Sequence, residues 1–318
     1  MPDTEENQRA FPQSSEQKPG LGFPLARLCG LVSLASGAVL GHAVAACQGK
    51  GSGEQSLLLA DLLPLLDSGD ILLADALLAT WWIMVDAQAA GVDVIMPQHG
   101  RRITDFAQGR LLGGKDHVVA WPRPKCPRWM SIEQWQCYPA ALNIREFEVD
   151  GRTLVTTLLD PDQASPRELD DLYALRWSIE VDWRTIKATL AMDVLRCLSP
   201  EMVKKEIAVY LLAYNLVRWA MASAAKLADL LPRSLGFTGA KRVLLAFAEE
   251  LRHSGKRRLS AMFAITLGAI AAMKLSLRPG RIEPRAKKRR PKPLPLLTVP
   301  RQQARENIIA IRHARGLS

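Results

Sequence analysis

No Cys-x-x-Cys pair and no His-Glu-x-x-His pair occurs in this sequence of 318 residues. The five cysteines, Cys29, Cys47, Cys126, Cys137 and Cys197, lie far apart. That spacing excludes a zinc-ribbon pattern and a dense disulfide framework, and a reducing cytoplasm is the simplest setting. The five histidines, His42, His99, His117, His253 and His313, read as structural residues rather than metal ligands. The opening MPDTEENQRAFPQSSEQKPG is polar, unlike a secretory signal. The run at residues 25–47 approaches membrane-span length, but it contains Arg27 and His42 and is divided by Ser36-Gly37, so two paired strands are expected there and no membrane partner.

Apolar residues are plentiful at 48%, enough for a sizeable core in one large domain or two. The net charge is +10 and the pI is near 9.6, a balance that favours a polyanionic partner. Charge alone does not separate nucleic acid from an acidic membrane surface.

The pattern along the chain is mixed α/β. Residues 22–47 read as a hairpin. SGEQSLLLADLLPLLDSG reads as a helix in which Ser52 and Gln55 resemble a capping box. ILLAD is a short buried strand ending at Asp75, 80–90 a helix, and GVDVIM the next strand. HVVAW, IREFEVD and RTLVTTLLD then look like strands, with a hairpin turn at residues 149–152. SPRELDDLYALRW restarts a helix, with Ser165 as N-cap, Pro166 in the first turn and Glu168 at N3. A long helix over EMVKKEIAVYLLAYNLVRWAMASAAKLADL is apolar nearly all round and is expected to be buried. Helices follow near 239–252 and 259–276. RPGRIEPRAKKRRPKPLPLLTVPRQQAR is basic and Pro-rich and reads as an extended tail, either a solubilising terminus or a phosphate-contacting one.

The richest stretch is YALRWSIEVDWRTIK, residues 173–187. At about 100° per residue, Tyr173, Arg176, Glu180 and Lys187 fall within roughly 60° of one another on a helix, and Arg184 joins them. Leu175, Ile179, Ile186 and Leu190 take the opposite side, which can pack on a core. A carboxylate among cations and a phenol is either a solvated surface or a face that binds a metal and phosphates. Trp177 and Trp183 flank the stripe; core packing is the expectation for both, with base stacking as the other reading.

These residues reproduce Y-x2-R-x3-E-x6-K, and the chain resembles the insertion-sequence-4 family of DDE transposases. GDILLAD, GVDVIMPQHGRRITDF and GRIEPRAKKRRPKPLPLLTVPR extend the resemblance over nearly the whole chain. It implies a ribonuclease H-like core over residues 1–80 and 165–230, with a β-rich insertion at 81–164. C-terminal helices at 231–280 and a basic Pro-rich tail at 281–318 complete that reading. It also implies three carboxylates holding two divalent metals, Mg²⁺ or Mn²⁺, with Asp75 as the second acid and Glu180 as the third. Tyr173, Arg176 and Lys187 match signature positions and, with Arg184, are DNA-contact candidates. Arg101 and Arg102 in QHGRR are either DNA contacts or an exposed basic turn.

The match breaks in two places. The segment carrying the family's first catalytic Asp would precede Met1, and Asp3 is no confident substitute. The absent strand would be central, pairing with both the first hairpin strand and ILLAD. Ala76 also stands where the family usually has Arg. The expectation is an N-terminally truncated transposase acting on transposon ends and target DNA, impaired in strand cleavage and transfer. A homodimer on DNA is part of that expectation. The alternative is a non-catalytic DNA-binding or regulatory protein derived from a transposase.

Overall fold

The computed structural model describes residues 1–49, 53–275 and 297–314. Its strands are β1 (Ala26–Val32), β2 (Val39–Ala46), β3 (Ile71–Leu73), β4 (Asp93–Pro97), β5 (Arg110–Gly113), β6 (Asp116–Pro122), β7 (Ala141–Val149) and β8 (Arg152–Thr156). Its helices are α1 (Glu5–Ala10), α2 (Glu54–Leu57), α3 (Trp81–Ala89), α4 (Ile132–Gln136), α5 (Pro166–Ala174), α6 (Ser178–Arg184), α7 (Pro200–Leu227), α8 (Phe237–Ala246), α9 (Ala248–His253), α10 (Lys256–Ala271) and α11 (Arg301–Ala314). The fold is α/β. Its residues group into two compact units, one of residues 28–43 and 53–184, the other drawn from 1–27, 44–52 and 185–318.

The run at residues 25–47 is a hairpin of β1 and β2. Gly37 makes the turn possible: at φ 75 it sits where a side chain is strained. Its N–H donates to Ser33 O at 2.8 Å, and Ser33 N–H donates to Ala38 O at 2.9 Å.

The first unit is built on a six-stranded sheet ordered β3-β4-β8-β7-β6-β5. β3 and β4 are parallel, Ile71 beside Asp93, and every other pair is antiparallel. The parallel pair needs a crossover, and α3 supplies it. This helix is buried nearly all round through Trp81, Trp82, Ile83, Met84, Val85 and Ala87, with Asp86 half-buried among them. The turn of the β7–β8 hairpin uses two left-handed residues, Asp150 at φ 50 and Gly151 at φ 77, whose backbone twist matches the strands. The strands of residues 110–156 therefore continue the same sheet as β3 and β4. Inside, Arg145 forks onto Asp116 at 2.8 and 2.7 Å and also donates to Ala164 O at 2.8 Å.

The stretch expected to be one helix over residues 52–69 is α2, then a π-helical turn (Leu58–Leu62) and a 3₁₀ turn (Leu63–Leu65). Pro64 lacks the N–H that an α-helix would bond back four residues, so the ladder cannot continue. Ser52 lies outside the described residues; the N-cap is Gly53, without a side-chain cap.

In the second unit, α7 packs on α8 and α10. The segment leading into it is tied to α1, where Thr4 Oγ1 donates to Leu198 O at 2.9 Å and Asn7 Nδ2 to Cys197 O at 3.2 Å. Tyr214 stacks on Phe237 at 5.1 Å and accepts from Arg218 Nε at 2.8 Å. α7 is long and apolar enough to cross a membrane, and its most apolar stretch is 44% buried in the fold. Contrary to expectation, it is not buried all round: Val203, Ile207, Leu211 and Met221 point inward, whereas Val209, Leu212, Leu216 and Trp219 are exposed. The extended tail ends sooner than expected, because Arg301–Ala314 is helical; residues 276–296 lie outside the described residues.

Candidate active site

The site is carried by the end of β3 and by the segment after α5. Helix α5 starts as its sequence dictates. Ser165 Oγ accepts from Glu168 N–H, and the Glu168 carboxylate accepts from Ser165 N–H at 2.9 Å, a complete capping box with Pro166 in the first turn. The helix then breaks into a 3₁₀ turn (Leu175–Trp177), resumes as α6 and ends in a π-helical turn (Thr185–Thr189). A 3₁₀ turn rotates each residue further than an α-helix does. Leu175 consequently faces solvent, although it was expected on the core side, while Ile186 is fully buried.

Tyr173 is not a surface residue. It is 5% exposed and belongs to the core cluster of Ile95, Phe147, Leu154 and Leu169. Burial pushes its phenol pKa up and the Asp75 carboxylate adds to that, while Arg176 and Arg152 pull it down. Both guanidinium groups lie over the ring, Arg152 at 5.1 Å and Arg176 at 5.6 Å from its centroid. Arg152 is in turn ion-paired with Asp170. Neither Arg152 nor Asp170 was picked out from the sequence. Arg152 opens a hairpin strand and carries no motif, so only the fold brings it here.

Arg176 Nη2 lies 3.9 Å from Glu180 Oε1, and Arg176 Nε is buried with no hydrogen-bond partner. Asp75 sits two residues beyond β3, half-buried, and its Oδ1 accepts from Leu77 N–H at 2.9 Å and from Leu78 N–H at 3.3 Å. It thus caps the turn after the strand, and its charge helps to raise the Tyr173 phenol pKa. Asp75 and Arg176 border one cavity of about 480 Å³, whose other walls come from β1, β3, Ile179 and Trp183. The approach there is tight: a Cβ on Gly30 would lie 2.6 Å from the Trp183 ring. Among the described residues β1 pairs only with β2, and β3 only with β4, so the cavity is bordered by two strands each paired on one side.

The remaining candidates scatter. Arg184 and Lys187 are exposed, Lys187 on the π-helical turn that belongs to the other unit. Trp177 is 54% exposed and is no core residue, whereas Trp183 is half-buried against the cavity. Arg101 is exposed. Arg102 instead lies flat on Trp121, 3.6 Å from the ring centroid, and burial lowers its pKa against the pull of Glu146. Glu146 is itself buried and accepts from Trp121 Nε1 and Thr104 Oγ1, both at 2.6 Å.

Among the described residues, no group of three or more His, Cys, Asp or Glu side chains is placed to hold a metal. The fit to a divalent ion therefore rests on Asp75 and Glu180. Both offer hard carboxylate oxygens, and Mg²⁺ typically uses one or two carboxylates and completes its shell with water and phosphate. The donor chemistry fits, with Arg176 as a competing cation beside Glu180.

Residues 4–216 match the transposase DDE domain family. The chain is similar to the transposase InsG for insertion sequence element IS4 of Escherichia coli (strain K12), 26% identical over 303 residues that cover 91% of this chain and 65% of that protein. It is also similar to the transposase for insertion sequence element IS421 of Escherichia coli, 36% identical over 90 residues, 28% of this chain and 24% of that one. The chain thus spans less than two thirds of the length of these relatives.

Proposed function

The chain belongs to the transposase DDE domain family, in its insertion-sequence-4 branch, and we propose that it acts on DNA phosphodiesters in transposition through a ribonuclease H-like core. The observation that carries this reading is the pairing of Arg176 with Glu180 beside the Tyr173 ring, with Arg176 and Asp75 lining one cavity. Asp75 and Glu180 would hold Mg²⁺ or Mn²⁺, which supplies Lewis-acid stabilisation of charge on the phosphoryl oxygens. Arg176 has a planar fork and an unsatisfied Nε, so it clamps a phosphate once that group displaces the long contact to Glu180. Tyr173 stays protonated and donates. Arg184 and Lys187 are exposed point charges for the DNA backbone, Arg101 adds one from its turn, and Trp177 offers a face for an unpaired base. Arg102 supports the turn rather than the DNA.

DNA ends and target DNA are the partners in this reading, with a homodimer on DNA, a cytoplasmic setting and no membrane. Five free cysteines are in keeping with a reducing compartment. A second reading is supported by one observation: among the described residues, no group of three or more His, Cys, Asp or Glu side chains is placed to hold a metal. Two carboxylates under-coordinate a two-metal centre, so the chain cleaves weakly or serves as a non-catalytic DNA-binding regulator.

The test is nicking of DNA carrying the element's terminal repeats, with Mg²⁺ or Mn²⁺, beside binding measured over a salt series. Salt-dependent binding retained in Glu180→Gln, with any nicking lost, supports the reading. Robust nicking that survives Glu180→Gln contradicts it. Robust nicking abolished by Asp75→Ala would instead overturn the impairment.

A further inference from the structure

Residues 98–108, between β4 and β5, lie across one face of the six-stranded sheet, and alternate side chains turn towards it. Arg102 sits on Trp121, 3.6 Å from the ring centroid, Thr104 Oγ1 donates to Glu146 at 2.6 Å, and Phe106 tilts against His117 with ring centroids 4.9 Å apart. Between them Arg101 and Asp105 are exposed, and Ile103 is 93% exposed. The landing points share a face of β6 and β7, where His117 and Glu146 are direct cross-strand partners. Glu146, 3% exposed, is the centre of the arrangement. Its Oε1 accepts from Trp121 Nε1 at 2.6 Å, and its Oε2 accepts from Thr104 and, at 3.4 Å, from Gln98 Nε2. His117 Nε2 lies 3.4 Å from that second oxygen. Its Nδ1 donates to Gln108 O at 2.6 Å, because a carbonyl can only accept.

Gln98, Thr104 and Gln108 mark the start, middle and end of this segment, and all three are tied to one carboxylate, directly or through His117. A buried carboxylate is costly unless it is well paired, and a satisfied buried network specifies one geometry. We infer that Glu146 is a positioning residue: it anchors residues 98–108 to the sheet and so fixes the direction in which Arg101 meets a DNA phosphate. Glu146 is buried and acts through Thr104 and Arg102, while Arg101 is held in its turn by its own N–H, which donates to His99 Nδ1 at 3.2 Å. Only the part played by Arg101 rests on the DNA reading; the anchoring needs neither DNA nor metal.

Hydrogen exchange of the backbone amides, read by mass spectrometry on the full chain, tests the anchoring, and DNA anisotropy tests its consequence. Glu146→Gln and Thr104→Val should each speed exchange across residues 99–107 by about tenfold or more, as expected for a lost buried hydrogen bond to a charged group. Strands β3 and β8 should stay as protected as in the wild type. Thr104→Ser keeps the hydroxyl and should exchange as the wild type does. Where Glu146→Gln opens the whole sheet, Thr104→Val decides. In DNA binding, Thr104→Val and Arg101→Ala should each lower affinity, and the double variant should bind no more weakly than Arg101→Ala alone. Wild-type exchange in Thr104→Val, or penalties that multiply in the double variant, would overturn the inference. A wild-type chain that binds no DNA would overturn the DNA reading and the role of Arg101 with it, while the exchange rates still judge the anchoring.

Discussion

The Arg176 guanidinium lies 3.9 Å from the Glu180 carboxylate while its own Nε is buried without a hydrogen-bond partner. An ion pair this long, on a carboxylate that is 42% exposed, adds little stability. The arrangement leaves donor capacity on the arginine and acceptor capacity on the acid, which is what a phosphate and a cation would use.

Arg176→Ala should therefore weaken DNA binding far more than it weakens folding. Removing one phosphate contact reduces the slope of log affinity against log salt by about one unit. Fluorescence anisotropy over a salt series reads this directly. Arg176→Lys keeps the charge and loses the fork, so it should restore the salt slope and only part of the affinity.

Raising the pH should reveal the two shifted phenols. Burial, then the hydrogen bond and charge of Asp86, push Tyr138 up to about 12, and Tyr173 is shifted upward chiefly by burial. In both, the folded state holds its proton after the unfolded chain has lost it. Their contribution is thus complete below the ordinary tyrosine pKa of about 10 and fades as pH climbs towards the folded value. Thermal melts should lose stability above about pH 10, and Tyr138→Phe should flatten that loss. Ultraviolet titration of the phenolates should show one late-titrating tyrosine fewer in Tyr138→Phe and in Tyr173→Phe.

The two neighbouring arginines of QHGRR should separate. Arg102→Ala removes the stack on Trp121 and should cost about 1–2 kcal/mol in urea unfolding. Arg101→Ala should stay within about 0.5 kcal/mol while lowering DNA affinity. Equal effects on stability would show that the turn is not held through Arg102.

Gly30 and Trp183 should be coupled. A methyl group on Gly30 meets the indole at 2.6 Å, so Gly30→Ala should cost about 1–3 kcal/mol through overpacking. Trp183→Ala should relieve much of that cost, and a double-mutant cycle should return a coupling above about 0.5 kcal/mol. Additive losses would mean that the cavity wall moves instead.

What the sequence disclosed was local. Ser165, Pro166 and Glu168 announced the start of α5, and Ser36-Gly37 announced the first hairpin turn, because caps and turns are decided within a few residues. The residues at 149–152 were legible for the same reason. The breaks after α5 and at Pro64 were not read, although the proline was a visible signal. A helical wheel drawn at constant pitch then put Leu175 inward and Tyr173 outward, and both are reversed. Arg152 reaches Tyr173 only through strand pairing, and the outward face of α7 shows only once its neighbours are in place. Both are consequences of tertiary packing that no spacing encodes.

The central claim is that Asp75 and Glu180 serve one divalent ion. Electron paramagnetic resonance of Mn²⁺ titrated into the full chain tests it most directly. The account predicts saturable binding that Asp75→Asn and Glu180→Gln each weaken by about tenfold or more, with folding retained. Mn²⁺ binding equal to wild type in both variants, or lost in only one of them, would contradict it.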